Sequence, residues 1–294
     1  MLNNKNNVYI VGELVEIKSF KEGVWGDDKK YVTANVVVKS NVNGQELLTE
    51  ARTFINEKTA SGTVNKNYTT VLNINDLLGK RVVISGANLT SERFWSARTN
   101  QLVNSTRINF NLIRAARANE NEDKVTFEFG GFVTRPIKEV TDENDEVKYY
   151  QISIGQATYK EDNMFEVNFI VDKDNVKAVQ VIGDQYVSGA TVEVSGICRT
   201  IVNKRIVATE VAFGEAIPKE YINTDKKFVI TGGSEVISGE GEYTEEVINN
   251  LVKIYSDTGK EIQAKAASAE KTSTASASPA AKPKPKNTNL AGLI

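Results

Sequence analysis

Short runs in which apolar and β-branched residues alternate with polar ones fill most of the chain, and apolar residues at helical spacing are scarce. Five such runs come first: Val8–Lys18, Lys30–Lys39, Glu46–Ile55, Arg81–Thr90 and Leu102–Ile113. Five more follow: Lys124–Val133, Val147–Tyr159, Met164–Val171, Thr191–Arg199 and Arg205–Phe213. Alternation with period two places successive side chains on opposite faces, so each run predicts a strand with one face buried. The segments Leu72–Leu78 and Asn175–Ile182, each just before the fourth strand of its set, read as short helices.

The two sets share local sequence. Gly79-Lys80-Arg81-Val82-Val83-Ile84-Ser85-Gly86 and Gly189-Ala190-Thr191-Val192-Glu193-Val194-Ser195-Gly196 both fit G-x-x-V-x-[IV]-S-G. The opening strands match more loosely, Val8-x-Ile10-x-Gly12 beside Phe127-x-Phe129-x-Gly131, and Lys30-Tyr31 and Lys148-Tyr149 open the second strands. Three matches in one order indicate an internal repeat. A glycine inside a long first strand suits a barrel, where that strand bends to serve both sheets. Five antiparallel strands with a helix before the fourth is the OB-fold plan, and a pair of other small barrels or sandwiches is the competing topology. The expected fold class is therefore mainly β: two tandem OB-fold five-stranded barrels, 1–117 and 118–217, followed by a largely disordered C-terminal tail.

Within the remainder, 218–262 is expected to form a short strand, Lys227–Thr231, and an amphipathic helix, Thr244–Tyr255. That helix carries Val247, Ile248, Leu251 and Ile254 on the side expected to pack on a barrel. Residues 263–294 are rich in Ala, Ser, Thr, Pro and Lys and cannot bury enough surface to fold alone. They end in an apolar tip whose Leu290, Leu293 and Ile294 are expected to dock a protein partner.

With these strand patterns the chain resembles the single-stranded-DNA-binding protein family, particularly the tandem-OB versions that bacteriophages encode. The resemblance rests on the opening strands ending in Gly12 and Gly131 and on the G-x-x-V-x-[IV]-S-G segment, which looks like the family's fourth strand. It implies a protein that coats and protects single-stranded DNA in replication or recombination. The tail departs from the bacterial pattern: Lys282-Pro283-Lys284-Pro285-Lys286 stands where that family carries an acidic stretch.

Composition narrows the chemistry. There is no histidine and one cysteine, Cys198. The commonest general base and the commonest zinc ligands are therefore missing, which points away from enzymatic activity and away from a metal site or other cofactor. One cysteine and an opening without a charged-then-apolar leader lead us to expect a cytoplasmic protein, in the host cytoplasm for a phage protein. No apolar run approaches a membrane span. The net charge of −2 hides an uneven distribution. Residues 1–117 carry +6 and residues 118–217 carry −8, so a polyanion is expected mainly on the first unit.

Holding a single strand without reading its sequence takes cations for phosphates and flat rings for bases. OB-folds place such groups on strands two and three and in the loops joining strands one to two and four to five. Both tryptophans fall in those loops of the first unit, Trp25 beside Lys29 and Lys30, and Trp95 in Arg93-Phe94-Trp95-Ser96-Ala97-Arg98. Arg52 and Arg107 are expected to add to the same groove. Tyr31 should point outward with Thr33 and Asn35, opposite Val32, Ala34 and Val36. Phe54 fits the outer face or the core equally, and Tyr68 is a weaker loop candidate. The second unit offers Arg199, Lys204 and Arg205 between its last two strands. Its acidic segment Glu139–Glu146 lacks calcium-loop spacing and reads as a solvated hairpin turn. The expected partners are thus single-stranded DNA, with RNA as a possible ligand, and replication or recombination proteins through the tail. A virion or replisome scaffold whose barrels bind protein is the alternative.

Overall fold

The computed structural model describes residues 2–26, 28–142, 144–209 and 217–275. Its first half contains β1 (Asn6–Trp25), β2 (Lys29–Val42), β3 (Gln45–Asn56), α1 (Lys66–Leu72), β4 (Arg81–Ser96), β5 (Gln101–Asn109) and β6 (Leu112–Ala115). Strand β1 pairs with β2, β2 with β3, β5 with β4, and β4 back with β1, all antiparallel; β3 and β5 pair in parallel and close the barrel. The second half repeats this with β7 (Lys124–Thr141), β8 (Val147–Ala157), β9 (Met164–Asp172), α2 (Val176–Gln185), β10 (Thr191–Thr209) and β11 (Ile217–Gly233). Here β9 and β11 are the parallel pair, and β10 returns to β7. Two five-stranded OB barrels follow one another, as the strand pattern implied.

The repeated glycines have physical causes. Gly79 and Gly189, at the head of the shared motif, sit at φ +73° and +86°, where a side chain is strained. A Cβ on Gly12 would run into the Lys39 carbonyl of β2, and one on Gly131 into the Gly155 carbonyl of β8. Both first strands are thus crossed closely by their second strands at the bend.

Two strand assignments need correction. The expected fifth strand of the second barrel, Arg205–Phe213, is not a separate strand: β10 runs on through Arg205 to Thr209, and the closing strand is β11. Lys227–Thr231, expected in an extension, lies in β11 beside β9, with Phe228 opposite Phe169. The expected division at 217 therefore falls at the start of this closing strand. Alternation continues through a long hairpin arm and carries no signal for where the arm turns. In the first barrel, the expected strand Leu102–Ile113 breaks after Asn109 into β5 and β6, and buried Phe110 donates its backbone N–H to Arg52. The helix before β4 also begins earlier than expected. Asn65 caps α1 by accepting from the Asn67 N–H at 3.1 Å, and a short 3-10 turn, Ile74–Leu77, follows.

Strand β1 also pairs with β7, from Asn6↔Phe129 to Val11↔Lys124, and joins the barrels in one eleven-stranded sheet. Val8 stands opposite Phe127, its own counterpart in the repeat. The barrels therefore meet as two subunits of an isologous dimer do, about a local two-fold axis. One continuous core crosses the junction through Val8, Ile10, Phe127, Phe129 and Phe169.

The last element, α3 (Glu245–Ala275), is longer than the expected Thr244–Tyr255. Leu251 is buried against Phe132, Ala157, Met164 and Tyr243, with Val247 and Ile248 beside it, so the predicted apolar side does pack on a barrel. The helix continues past 262 into residues expected to be disordered, where five alanines among 263–275 favour helix. The rest of the segment expected to be disordered, 276–294 with its tip Leu290, Leu293 and Ile294, lies outside the described residues. Among the described residues no helix is long and apolar enough to cross a membrane.

Candidate nucleic-acid interface

Alternation along β2 and β3 builds the principal candidate surface. Val32, Ala34 and Val36 are buried, and Tyr31, Thr33 and Asn35 face out, as predicted. On β3, Ala51, Thr53 and Ile55 are buried and Arg52, Phe54 and Asn56 face out. The register sets Tyr31 opposite Asn56, Thr33 opposite Phe54 and Asn35 opposite Arg52, so all six share one face. Tyr31 and Phe54 stack with centroids 5.1 Å apart and planes 21° from parallel, and Phe54 remains 53% exposed. The ambiguity over Phe54 is thus resolved in favour of the outer face. Gly23, opposite Tyr31, makes room for that ring: a Cβ there would lie 2.5 Å from its phenol carbon.

Toward the tip of the β1–β2 hairpin the same surface reaches Trp25, which is 50% exposed. Trp25 ends β1 opposite Lys29 instead of lying in a free loop. Its Nε1 donates to Asn56 Oδ1 at 3.2 Å, and Lys29 Nζ sits 5.4 Å from the ring centroid. The indole is therefore held in place while one side stays open. It edges a recess of about 520 Å³ that Lys29, Lys30, Lys58 and Thr59 also line. Lys30 lies 4.0 Å from Glu57, a pair too exposed to be fixed strongly.

The β4–β5 arm carries the second tryptophan. Trp95 is half-buried opposite Leu102, Phe94 is 42% exposed opposite Val103, and Arg98 is exposed in the turn. Arg93, expected in a groove with them, is held elsewhere. Its Nη1 donates to the Tyr255 carbonyl of α3 at 2.7 Å, and its guanidinium lies 4.1 Å over the Tyr255 ring. Asn104, opposite Arg93, donates to the same tyrosine's hydroxyl at 2.9 Å. Tyr68 is also not in a loop: it is buried in α1.

A cleft of about 600 Å³ opens between the barrels. Asn35, Glu50 and Arg52 form one wall with β5 residues that include Asn104 and Arg107; Tyr149, Gln151, Asn168 and Lys227 form the other. Arg107 pairs with Glu92. Lys227 Nζ lies 4.1 Å over the Tyr149 ring. Arg199 stands opposite Lys227 in the ladder and pairs with Asp172 at 3.5 Å. Lys204 and Arg205 are placed on β10 by their backbone, and their side chains lie outside the described residues. The structure thus gathers Trp25, Lys29, Lys30, Tyr31, Phe54 and Arg52 on one surface. It brings Arg52 and Arg107 to the cleft and Arg199 beside Lys227 on its far wall, and leaves Trp95, Phe94 and Arg98 on another arm.

Gln151, Asn168, Lys227 and Asn104 were not singled out from sequence. One signal was present: aligning Lys148-Tyr149 with Lys30-Tyr31 makes Gln151 the counterpart of Thr33, and so outward-facing.

Elsewhere the acidic segment forms the β7–β8 turn. Asp142 Oδ1 accepts the backbone N–H groups of Asn144 at 2.8 Å and Glu146 at 3.1 Å, which hold its carboxyl below the usual range. Among the described residues no group of three His, Cys, Asp or Glu side chains can hold a metal ion. Cys198 is fully buried, and burial pushes its thiol pKa well up, away from thiolate chemistry.

The sequence profile of the family described as YorF matches residues 4–271. No curated protein sequence matches the chain. Among solved structures, the chain is similar to the single-stranded DNA binding protein from Thermus aquaticus, at 10% identity and a TM-score of 0.49, over 83% of this chain and 98% of that one. A deletion mutant of the same Thermus aquaticus protein matches at 11% identity and a TM-score of 0.49, with the same coverage.

Proposed function

The chain belongs to the YorF family, and we propose that it is a non-enzymatic protein that binds single-stranded DNA without reading its sequence and shields exposed strands during replication or recombination. One observation carries this reading: Trp25, the stacked Tyr31–Phe54 pair and Arg52 follow one another along a single outer face, with Lys29 and Lys30 at its far end. Bases have flat faces whatever their identity, so a row of half-exposed rings accepts any sequence, while the cations meet phosphates at its margins. A protein-docking surface needs none of this alternation of ring and cation.

The test is titration of intrinsic tryptophan fluorescence with unstructured deoxy- and ribo-oligonucleotides at two salt concentrations. Binding should quench the fluorescence and weaken as salt rises, because released counterions drive phosphate contact. Trp25→Ala and Phe54→Ala should each cost about 1–3 kcal/mol of affinity. Unchanged affinity in both variants would remove the proposal and leave the scaffold reading, and equal binding of ribo strands would widen the ligand to RNA. The tip Leu290, Leu293 and Ile294 is proposed to dock a replication or recombination protein in the cytoplasm. Deleting residues 287–294 should then spare oligonucleotide affinity and abolish that contact in a pull-down.

A further inference from the structure

The cleft between the barrels has a chemistry different from that of the β2–β3 face. Its walls carry four carboxamides, Asn35, Asn104, Gln151 and Asn168, flanked by Arg52 and Lys227. Asn35 Nδ2 donates to Glu50 Oε1 at 2.7 Å, and that carboxylate is also held by Lys18 at 2.9 Å. The amide is thereby oriented, and its Oδ1 is buried with no hydrogen-bond partner. That oxygen has almost no accessible surface, so Asn35 shapes the wall of the cleft and the open groups lie across from it. Across the cleft, Asn168 Oδ1 accepts from Ser153 at 2.7 Å, which leaves its Nδ2 to donate. Gln151 has no side-chain hydrogen bond among the described residues and can do both. Arg52 likewise has no ion pair among them.

Carboxamides recognise base edges, because an amide offers a donor and an acceptor side by side. We propose that this cleft is a subsite for one unstacked nucleobase of the bound strand. The base presents an exocyclic amine to Gln151 Oε1 and a ring acceptor to Asn168 Nδ2, while Arg52 at the mouth takes the adjoining phosphate. Adenine and cytosine carry that amine beside a ring acceptor; thymine offers carbonyls there. The inference rests on the single-strand reading above and adds a base preference to a surface otherwise indifferent to sequence. It also gives the second barrel a part in binding through β8 and β9.

The experiment compares the full chain on dA, dC and dT homopolymers of equal length by fluorescence anisotropy, beside Gln151→Ala and Asn168→Ala. Wild-type protein should prefer dA or dC over dT by about fivefold or more, the lower range of a base-edge amide contact. The variants should bring the three strands within about twofold of one another, since the amide contacts that discriminate are then gone. Tryptophan quenching and salt dependence should not change. Gln151 and Asn168 lie on the outer face of their strands, away from the barrel core, so their variants report on binding with the fold intact. Equal affinity of wild-type protein for all three strands overturns the subsite while the single-strand reading stands, and so does a preference that survives both outer-face variants. Failure of wild-type protein to bind any strand overturns the parent reading instead.

Discussion

The two barrels share a topology and treat matching tyrosines differently. In the first, Tyr31 lies against Phe54, and the pair faces outward beside Arg52. In the second, Tyr149 is covered by Lys227, and the register places Asp172 opposite it where the first barrel has Asn56. Arg199 then turns to Asp172, so these two cations are held by the barrel's own ring and its own carboxylate. One fold thus supports an open aromatic surface in one copy and a polar wall with its tyrosine covered in the other. Backbone plan fixes where the strands lie, and a handful of outward positions decides what they can touch.

The most severe test of that equivalence is at the bends. Gly12→Ala and Gly131→Ala each drive a methyl into a main-chain carbonyl, which no rotamer change relieves. Each should cost about 3 kcal/mol or more and lower the thermal midpoint sharply, measured by circular dichroism. Tolerance at only one of the two would mean that the barrels are not equivalent there. Next in size is the contrast of rings: Phe54→Ala should weaken oligonucleotide binding about tenfold, and Tyr149→Ala by less than about threefold. Reversed magnitudes would make the second barrel the principal surface.

A smaller and more discriminating effect separates two arginines. Arg52→Ala should lower the slope of log affinity against log salt by about one, the signature of a lost phosphate contact. Arg93→Ala should leave that slope unchanged and instead loosen α3, seen as faster amide exchange around Tyr255, because its guanidinium is committed to that helix. The smallest effect concerns the segment joining the barrels. Arg114 hydrogen-bonds Glu120 through both nitrogens, at 2.6 and 2.5 Å, and with the Arg117 N–H lowers the Glu120 pKa from 4.5 to about 2. A depressed carboxylate stabilises the fold above its ordinary pKa, and the contribution fades as pH falls from 4.5 towards 2. Glu120→Gln should therefore flatten the acid limb of the unfolding curve slightly and leave stability above pH 6 nearly parallel to wild type.

Most of the fold was legible because barrel strands advertise themselves locally. Val32, Ala34 and Val36 point inward by alternation alone, and Gly79 and Gly189 mark turns that only glycine makes without strain. The strand β11 was misread because closure of the second barrel depends on a parallel pairing with β9, a contact between distant residues that leaves no periodic trace. The site divides in the same way. Trp25, Tyr31 and Arg52 share a face that register arithmetic on three adjacent strands recovers. Arg93 was misplaced because a helix some 160 residues later claims it, and the cleft was invisible because its walls come from both barrels. Local pattern reports which side of a strand a residue occupies, and only tertiary packing reports what faces it.

The ladder between β1 and β7 has a consequence for how the protein is made. Until residues 124–129 have left the ribosome, the edge of Asn6–Val11 has no neighbour, and an open strand edge invites pairing with another chain. The local two-fold axis makes the nearest substitute another copy of the same edge, Val8 against Val8. A chain truncated after the first barrel should therefore self-associate in light scattering. The whole protein carries in cis, a hundred-odd residues downstream, the partner that its amino-terminal half would otherwise seek among nascent siblings.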